Sequence, residues 1–509
     1  MKDGERLAAV DLGSNSFRLE ISIMHNGHLQ RVEYLKETVR QGGGLDADSH
    51  LSEEAMERGW QCLARFGERL RDFRPAQVSA LATQTLREAR NRQTFIDKGQ
   101  QLLGHPIEVI SGQEEARLIY QGVTYLLPLN VQEQRLVIDI GGRSTEIIAG
   151  TGQMSLEAVS LPFGSVSWSQ RFFGEGKLTA KTFTKAEVAA NAIIEEHLGR
   201  FDPYPRNHVY GASGTMGAVA QVLSQLGGEK QVITREGVER LKAMLIEAQH
   251  VDNLNFEGLR EDRKPVIGGG ITILLSLMHM FQIERMHISE GALRQGALLD
   301  LIQRDDHDAK RRDIRQNSVA SLIQRFGYDR EQGDRIANVA KAIWDALNPQ
   351  HQWSEDDLQV LRWAGQLHEI GVSIAYERFH HHGAYILHYG DCPGFLPSER
   401  ERLAHLIMGH RGKLKKVANA LHADPVYARQ LLCLRLAVLL CNARKDPQLE
   451  ALGWKFQKDG TVTSSVEEQW VSQHPQSFYL LQEEALAWEK MSIPLRLTIK
   501  KFLKRETIS

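Results

Sequence analysis

The chain has 509 residues, with 62 Lys and Arg against 64 Asp and Glu, for a formal net charge of −2. At roughly 100–200 residues per domain, this predicts three or four domains and excludes a single small core. Apolar residues at 42% and charged residues at 25% fit an ordinary soluble globular protein and exclude a disordered or fibrous one. The near-balanced charge removes the global signature of a nucleic-acid binder.

Cys62, Cys392, Cys433 and Cys441 show no CxxC spacing, so free thiols in a reducing compartment are expected. Met1-Lys2-Asp3-Gly4-Glu5-Arg6 carries no apolar segment of the kind a secretory signal needs. The apolar run Leu431 to Cys441 is too short to span a bilayer and is interrupted by Arg435. A cytoplasmic protein with no membrane span and no nucleic-acid partner is the expectation.

In chain order, Leu7-Ala8-Ala9-Val10 and Leu136-Val137-Ile138 are short apolar runs before Gly-rich turns and predict buried strands. Between them Met56, Trp60, Leu63, Phe66 and Leu70 recur at helical spacing, with Ser52 as the N-cap. Val78 to Ala82 and Ile107 to Ile110 read as further strands, and the alternation predicts an α/β architecture. Ala9-Val10-Asp11-Leu12-Gly13-Ser14-Asn15-Ser16 also aligns with Val137-Ile138-Asp139-Ile140-Gly141-Gly142-Arg143-Ser144, which lies 128 residues later. This repeat predicts two related α/β domains facing each other across a cleft; two unrelated strand–turn units are the plainer alternative. The charged stretch 305–313 reads as a linker. Residues 316–445 read as helices, with Ile336, Val339, Ala340, Ile343 and Leu347 on one face and Leu361, Ala364, Gly365, Leu367 and His368 on another. Residues 454–464 predict a hairpin turning at Lys458-Asp459-Gly460, followed by a helix near 477–490 and a strand from Pro494 to Ile499.

Several short segments carry chemistry. After a strand, the Gly-rich turn 13–16 exposes backbone N–H groups as a nest for phosphate, with hydroxyls from Ser14 and Ser16. Asp11 at the strand end can hold Mg²⁺. A capped tight turn is the alternative. Asp139 to Glu146 offers the same nest with two carboxylates, and two such loops in one chain weaken the alternative. Gly211-Ala212-Ser213-Gly214-Thr215 joins a strand to a helix; it either receives an anion at the helix N-terminus or packs helix against strand closely. Arg87 can grip a phosphate bidentately, although a lone Arg is more often solvated. Ser111 and Glu114 have capping-box spacing, which leaves Glu115 unassigned: a general base if it meets a cleft, otherwise a solvent-facing acid in a first helical turn. His368-Glu369, His380-His381-His382 and His410 lack metal-ligand spacing and read as satisfied or surface histidines. The basic runs around 310–315 and 410–416 are solvated faces or a track for a polyanion.

Taken together, these motifs closely resemble the exopolyphosphatase / guanosine pentaphosphate phosphohydrolase family over nearly the whole chain. Carrying the resemblance are Ala9 to Phe17, Thr85-Leu86-Arg87, Ile110 to Ile119, Val137 to Glu146, Gly211 to Thr215, and Gly291-Ala292-Leu293-Arg294. The resemblance implies two actin-like domains (1–128 and 129–308), an all-α HD-like domain (309–448) and a small α/β appendage (449–509). It implies Mg²⁺-dependent hydrolysis of a terminal phosphoanhydride, with Glu115 as the catalytic glutamate. Asp11, Asp139 and Glu146 would stand around the metal. Ser14, Asn15, Ser16, Arg87, Gly142, Arg143, Ser144, Thr145, Ser213 and Gly214 would bind substrate phosphates, and Arg411, Lys413, Lys415 and Lys416 would line a polyanion path. A homodimer is implied too.

Two departures stand out. Arg143 occupies a place where the family usually has Gly or Ala; if that position needs positive φ, Arg strains it, and otherwise Arg143 adds a phosphate contact. Glu369 stands where a metal-binding HD domain has Asp, which argues against a second phosphohydrolase site. The leading expectation is an exopolyphosphatase acting on inorganic polyphosphate, and the alternative is a pppGpp 5′-phosphohydrolase. The basic runs lean toward a long polyanion, whereas Glu54 to Leu63 and Glu114 to Val123 look more like the pppGpp-hydrolase branch. A kinase on the same scaffold would need a second substrate pocket. A non-catalytic alarmone-binding regulator is disfavoured by the presence of Glu115.

Overall fold

The computed structural model describes residues 4–25, 28–127, 132–305, 314–326, 329–349, 353–390, 392–457, 461–491 and 496–502. Strand β1 (Arg6–Leu12) is buried on both faces, which is why it reads as a continuous apolar run. Ala8, Val10 and Leu12 enter one core, while Leu7 and Ala9 enter another on the opposite face. By the same period of two, Asp11 follows Leu7 and Ala9. β2 (Phe17–His25) and β3 (His28–Glu37) continue an antiparallel meander, and β4 (Val78–Ala82) and β5 (Ile107–Val109) add in parallel, giving the order β3-β2-β1-β4-β5.

A second sheet contains β6 (Gln134–Ile140), β7 (Thr145–Thr151), β8 (Met154–Leu161), β9 (Val209–Ala212), β10 (Val232–Thr234) and β11 (Arg285–Ile288), in the order β10-β11-β9-β6-β7-β8. The path β8-β7-β6-β9-β11 repeats the first sheet with the same strand senses. Even the register shift recurs, between Ile21 and Ser22 in β2 and between Ala149 and Gly150 in β7. The expected duplication is therefore present in the fold.

Helices α1 (Glu53–Leu70), α2 (Gln84–Glu88), α3 (Arg92–Leu103) and α4 (Gly112–Tyr125) belong to the first lobe. Ser52 caps α1 by accepting from the Ala55 N–H, as its position before the apolar stripe predicts. The second lobe carries α5 (Ser165–Phe173), α6 (Ala180–Glu195), α7 (Ser213–Gln225), α8 (Arg235–Ala248) and α9 (Ile267–Met280), followed by α10 (Leu293–Asp305). α4 and α10 lie in a core with residues from both sheets: Leu118, Ile119, Val123, Leu293 and Leu298 meet Leu7 and Ala9 of β1 and Val137 and Ile148 of the second sheet. The two helices cross so closely that a Cβ on Gly296 would stand 1.9 Å from the Leu118 carbonyl oxygen. A buried ion cluster locks the crossing: Arg117 donates to Glu114 at 2.7 and 2.9 Å, to Asp300 at 2.7 Å and to Gln121 at 3.0 Å.

Contacts divide the chain into two compact units, residues 1–311 and 312–509. The second unit contains α11 (Ile314–Phe326), α12 (Arg330–Leu347), α13 (Glu355–Leu367), α14 (Phe379–Tyr389), α15 (Pro397–Gly409), α16 (Ala418–Ala423) and α17 (Pro425–Leu440). Then come β12 (Leu452–Phe456), β13 (Thr461–Glu467), α18 (Glu468–Gln473), α19 (Pro475–Glu489) and β14 (Arg496–Phe502). β12 and β13 are antiparallel and β14 joins in parallel. Trp344, Trp363, Val462, Leu481 and Trp488 share one core, so helices and sheet pack together. Arg435, which interrupts the apolar run of α17, pairs with the buried Glu484 of α19 through bonds of 2.5 and 2.6 Å. The expected turn at Lys458 to Gly460 lies outside the described residues, as do residues 306–313 of the expected linker and Pro494 and Leu495 of the last expected strand. All four cysteines are buried, and none forms a disulfide among the described residues. Among the described residues, no helix is long and apolar enough to cross a membrane.

Candidate active site

The two repeated hairpins meet at the carboxyl ends of β1 and β6. Leu12 pairs with Phe17, and Ile140 pairs with Thr145, so each turn comprises four residues, 13–16 and 141–144. The turns approach each other: a Cβ on Gly142 would stand 3.1 Å from the Ser14 Cβ, a tight contact. The 13–16 turn is held from outside by Arg40 N–H to the Asn15 carbonyl (2.9 Å) and Gly42 N–H to the Ser14 carbonyl (2.8 Å). Ser213, the first residue of α7, adopts φ 89°, a left-handed conformation that is costly for a residue with a Cβ. Strain of this kind marks a loop held for a purpose.

These loops enclose a small cavity of about 90 Å³ lined by Asp11, Ser14, Asn15, Ser16, Glu115, Asp139, Gly142, Ser144, Ser213 and Gly214. Thr83, Arg18 and Arg263 also line it. The expected residues thus converge, with four exceptions: Arg87, Arg143, Thr145 and Glu146 are not among the lining residues. Thr145 is fully buried and its hydroxyl donates to the Phe163 carbonyl at 2.7 Å, so it braces the hairpin rather than facing a ligand. Glu146 lies behind the cavity, cross-strand from Asp139, and accepts from the Ser160 hydroxyl at 2.7 Å. Arg87 donates to Glu115 Oε2 at 2.8 Å and to the Ile110 carbonyl at 2.9 Å. Arg143 donates to Glu88 at 2.6 and 3.0 Å and to the Gly42 carbonyl at 3.1 Å. It is not among the residues with positive φ, so the feared backbone strain is absent.

Ser111 caps α4 by accepting from the Glu114 N–H, and the Glu114 carboxylate engages Arg117. Glu115, one residue on, is turned to the cavity and only 7% exposed. Burial pushes its carboxyl above the ordinary range, Arg87 opposes this, and Asp11 adds to it. Asp139 is pushed up to about 7, first by burial and then by Glu115. Glu146 is raised well above its ordinary value by burial, Glu115 and Asp139. Asp11 is balanced by two cations, Arg18 at 3.3 Å and Arg294 at 3.6 Å. Glu20, buried in β2, accepts from Arg294 and Gln295 and so anchors α10.

Arg18, Ser213, Gly214 and Ala292 also form part of the wall of a larger chamber of about 630 Å³. Arg31, Lys36, Lys230 and Arg294 supply its cations, and Tyr34, Gln221, Gln225, Gln231, Ile288 and Glu290 complete much of the wall. Lys36 is pushed down to about 8 by burial and by the neighbouring Arg263, Arg18 and Arg260, a crowding of like charges that an anion would relieve. Sequence reasoning did not single out Arg18 or Arg263, and it placed Arg294 in a family motif without giving it a role. A signal existed for Arg18: it sits opposite Asp11 where the repeat puts Glu146 opposite Asp139.

In the second unit, His368 and His410 are buried with Nδ1 on the carbonyls of Gly365 (2.8 Å) and Ile407 (2.6 Å). Glu369 accepts from Arg444 at 2.8 and 3.0 Å. Arg411, Lys413 and Lys415 are exposed and Lys416 is half-buried, donating to the Arg411 carbonyl.

The chain matches the model of the Ppx/GppA phosphatase family over residues 21–305 and that of Ppx/GppA phosphatase, domain III, over residues 314–485. It belongs to the Ppx/GppA phosphatase family. The chain is therefore a hydrolase acting on phosphoanhydride bonds, and its duplicated α/β unit is actin-like. Among solved structures it is similar to the Aquifex aeolicus PPX-GPPA enzyme, with 26% identity and a TM-score of 0.50 over 58% of this chain and 98% of that one. An exopolyphosphatase from Cytophaga hutchinsonii shares the fold, with 24% identity and a TM-score of 0.55 over 59% of this chain and 99% of that one.

Proposed function

We propose that the protein removes the terminal phosphate of a phosphoanhydride chain as orthophosphate, with Mg²⁺ as cofactor and Glu115 as the general base. The observation that carries this reading is the convergence of Glu115, Asp11 and Asp139 on a cavity walled by two phosphate-nest loops. The terminal phosphoryl group would sit among the Ser14–Ser16, Gly142–Ser144 and Ser213–Gly214 backbones, whose N–H groups meet charge on its peripheral oxygens. Glu115 would orient and deprotonate the attacking water. Arg87 occupies Oε2, and Oε1 has no hydrogen-bond partner among the described residues. A carboxyl raised by burial is the stronger base at neutral pH.

The donor set fits Mg²⁺. Its members are all hard oxygen ligands, and Asp139 and Glu146 both bind protons more tightly because of burial and Glu115, which Arg18 and Arg294 at Asp139 and Arg87 at Glu146 offset only in part. Asp11 and Asp139 would hold it from the cavity wall, with Glu146 behind them adding negative charge. Bound there, it would neutralise charge on the phosphate oxygens.

Inorganic polyphosphate is one substrate of this chemistry, and pppGpp is the second reading. The chamber favours the latter. Its cations suit a second phosphate group, while Ile288, Ala292, the three glutamines and Glu290 suit a base. A carboxylate such as Glu290 repels a bare polyanion but accepts the N–H groups of guanine. Phosphate release from long-chain polyphosphate and from pppGpp, measured in parallel with Mg²⁺, tests both. If neither turns over, the hydrolase assignment of this cavity fails.

The helical unit is proposed to be HD-like without chemistry of its own. Arg444 on Glu369 supports this, because that carboxylate is already engaged by two donors. Arg411, Lys413, Lys415 and Lys416 are proposed as a polyanion surface. Lys416 is pushed down to about 8 by burial and by Arg435 and Arg411, which supports a local excess of positive charge. A homodimer and a cytoplasmic location belong to the same proposal; light scattering tests the first, and the burial of the cysteines without disulfides among the described residues supports the second.

A further inference from the structure

Arg143 replaces a small residue in the second phosphate loop, and its side chain does not line the cavity. It crosses instead to the first lobe, where Nε and Nη2 reach Glu88 Oε2 at 3.0 and 2.6 Å and Nη1 reaches the Gly42 carbonyl at 3.1 Å. The pair is largely shielded, with side-chain exposures of 18% and 27%. Glu88 then continues a chain of bonds. Its Oε1 accepts from Gln84 Nε2 at 2.6 Å, and Gln84 Oε1 accepts from Arg87 Nε and Nη2 at 3.0 and 2.6 Å. Arg87 Nη1 completes the path at Glu115 Oε2, 2.8 Å away. Gln84, Arg87 and Glu88 share one turn of α2, so the relay runs along a single helical face.

We propose that Arg143 and Glu88 are positioning residues: their ion pair fixes the distance between the two phosphate loops and, through Gln84, holds Arg87 on the outer oxygen of Glu115. This rests on Glu115 being the base. The physical case is one of degrees of freedom. Arg87 has five donors, and without Gln84 in place its fork can rotate away from Glu115 toward any nearby acceptor. Gln84 is itself aligned by Glu88, and Glu88 is aligned by two donors from Arg143. Gly42 and Gly142 both lie against Ser14, so movement of the Arg143 anchor moves the wall of the cavity as well. Neither side chain lines the cavity where a phosphate would lie, which separates this role from that of a side-chain phosphate ligand.

The test compares Arg143→Ala, Glu88→Gln and the double variant, with Glu115→Gln alongside, on whichever substrate the wild type turns over. Glu88→Gln is isosteric and keeps a hydrogen-bonding oxygen and its partial exposure to solvent, so it keeps the fold; thermal melts check this for all four. Positioning predicts that each single variant lowers kcat by roughly tenfold to a hundredfold while KM stays within about threefold, because misplacement of a base acts on the chemical step. It predicts that the double variant is no worse than the worse single one. If Arg143 is a phosphate ligand, Arg143→Ala raises KM, Glu88→Gln leaves kcat untouched, and the proposal falls. Additive losses in the double variant also overturn it, as do two silent single variants. If Glu115→Gln keeps full kcat, the reading of the base fails independently; if Glu115→Gln is inactive and the other two are silent, only the present proposal fails.

Discussion

Asp139 and Glu146 face each other directly across β6 and β7, and the same register 128 residues earlier pairs Asp11 with Arg18. One scaffold position thus carries a carboxylate in one copy and a guanidinium in the other. The first hairpin is internally neutralised, and the second is left with two buried acids, 7% and 1% exposed, whose affinity for a proton is raised by burial and by Glu115, with Asp139 adding to the effect on Glu146. Duplication supplied two loops, and the divergence of one residue gave one of them a vacancy for positive charge.

That asymmetry predicts how Mg²⁺ and pH act on stability. The Asp139 carboxyl is raised from 3.8 to about 7, so between those values the folded chain keeps a proton that the unfolded chain has lost. Its contribution therefore worsens as pH rises across the window. Buried His368 and His410, whose affinity for protons is lowered by burial, act in the opposite direction as pH falls. The clean observable is the difference between wild type and Asp139→Asn. In metal-free buffer the variant should gain melting temperature relative to wild type on going from pH 5 to pH 8. Mg²⁺ should raise the wild-type melting temperature at pH 8 and shift the variant far less. Equal Mg²⁺ shifts in the two proteins would remove Asp139 from the ion's ligands.

Glu115→Gln should leave folding and KM nearly unchanged and lower kcat by about 10²–10⁴-fold, the usual worth of a general base. The amide keeps the shape and an oxygen for Arg87 but cannot take a proton. Steady-state phosphate release decides this, and a loss of less than tenfold would return Glu115 to a structural role.

The strand-and-loop part of the site was legible in the sequence because it depends on local pattern. Apolar runs ending in Asp and Gly specify a strand and a turn, and repetition of the pattern specifies its partner. Glu115 could be placed in a first helical turn, but not in a cleft, because that depends on α4 lying between two sheets. Arg143 was the instructive case. Its departure from a small residue was visible, and both readings considered, strain and phosphate contact, were local. The acceptor it uses is Glu88, 55 residues away in the other lobe, and no spacing rule reaches that far. The role of Arg294, visible only as part of a motif, was hidden for the same reason: α10 returns to the first lobe and meets Glu20, 274 positions away.

Glu290 provides a test of substrate choice that leaves the chemistry intact. It lies at the chamber, away from the four carboxylates, and no shielding cation is bonded to it among the described residues. Glu290→Ala should lower kcat/KM for pppGpp by roughly tenfold or more, the worth of one or two hydrogen bonds to a charged acceptor. Polyphosphate turnover should stay level or rise, because a repelling charge is gone. A parallel loss on both substrates would show that the chamber does not read the base.

The crossing of α4 and α10 predicts a coupling between packing and turnover. A Cβ on Gly296 would stand 1.9 Å from the Leu118 carbonyl, and one on Gly122 would stand 2.1 Å from the Ala292 carbonyl. The obstacles are backbone atoms, which cannot rotate aside, so Gly296→Ala must push the helices apart at a cost of about 1–3 kcal/mol. The same displacement moves Glu115 on α4 relative to Arg294 on α10, while the Arg117 cluster with Glu114 and Asp300 resists it. Gly217, on α7, has open space at its Cβ, so Gly217→Ala serves as the stability control and should gain about 0.5–1 kcal/mol from helix propensity. Urea denaturation of the two variants should give opposite signs. Under native conditions, where Gly296→Ala remains folded, its kcat should still fall by an order of magnitude or more, since small misplacements of reacting groups cost that much. A destabilised Gly296→Ala with wild-type kcat would mean that the crossing supports the fold alone and that Glu115 is positioned by Arg87 without help from α10.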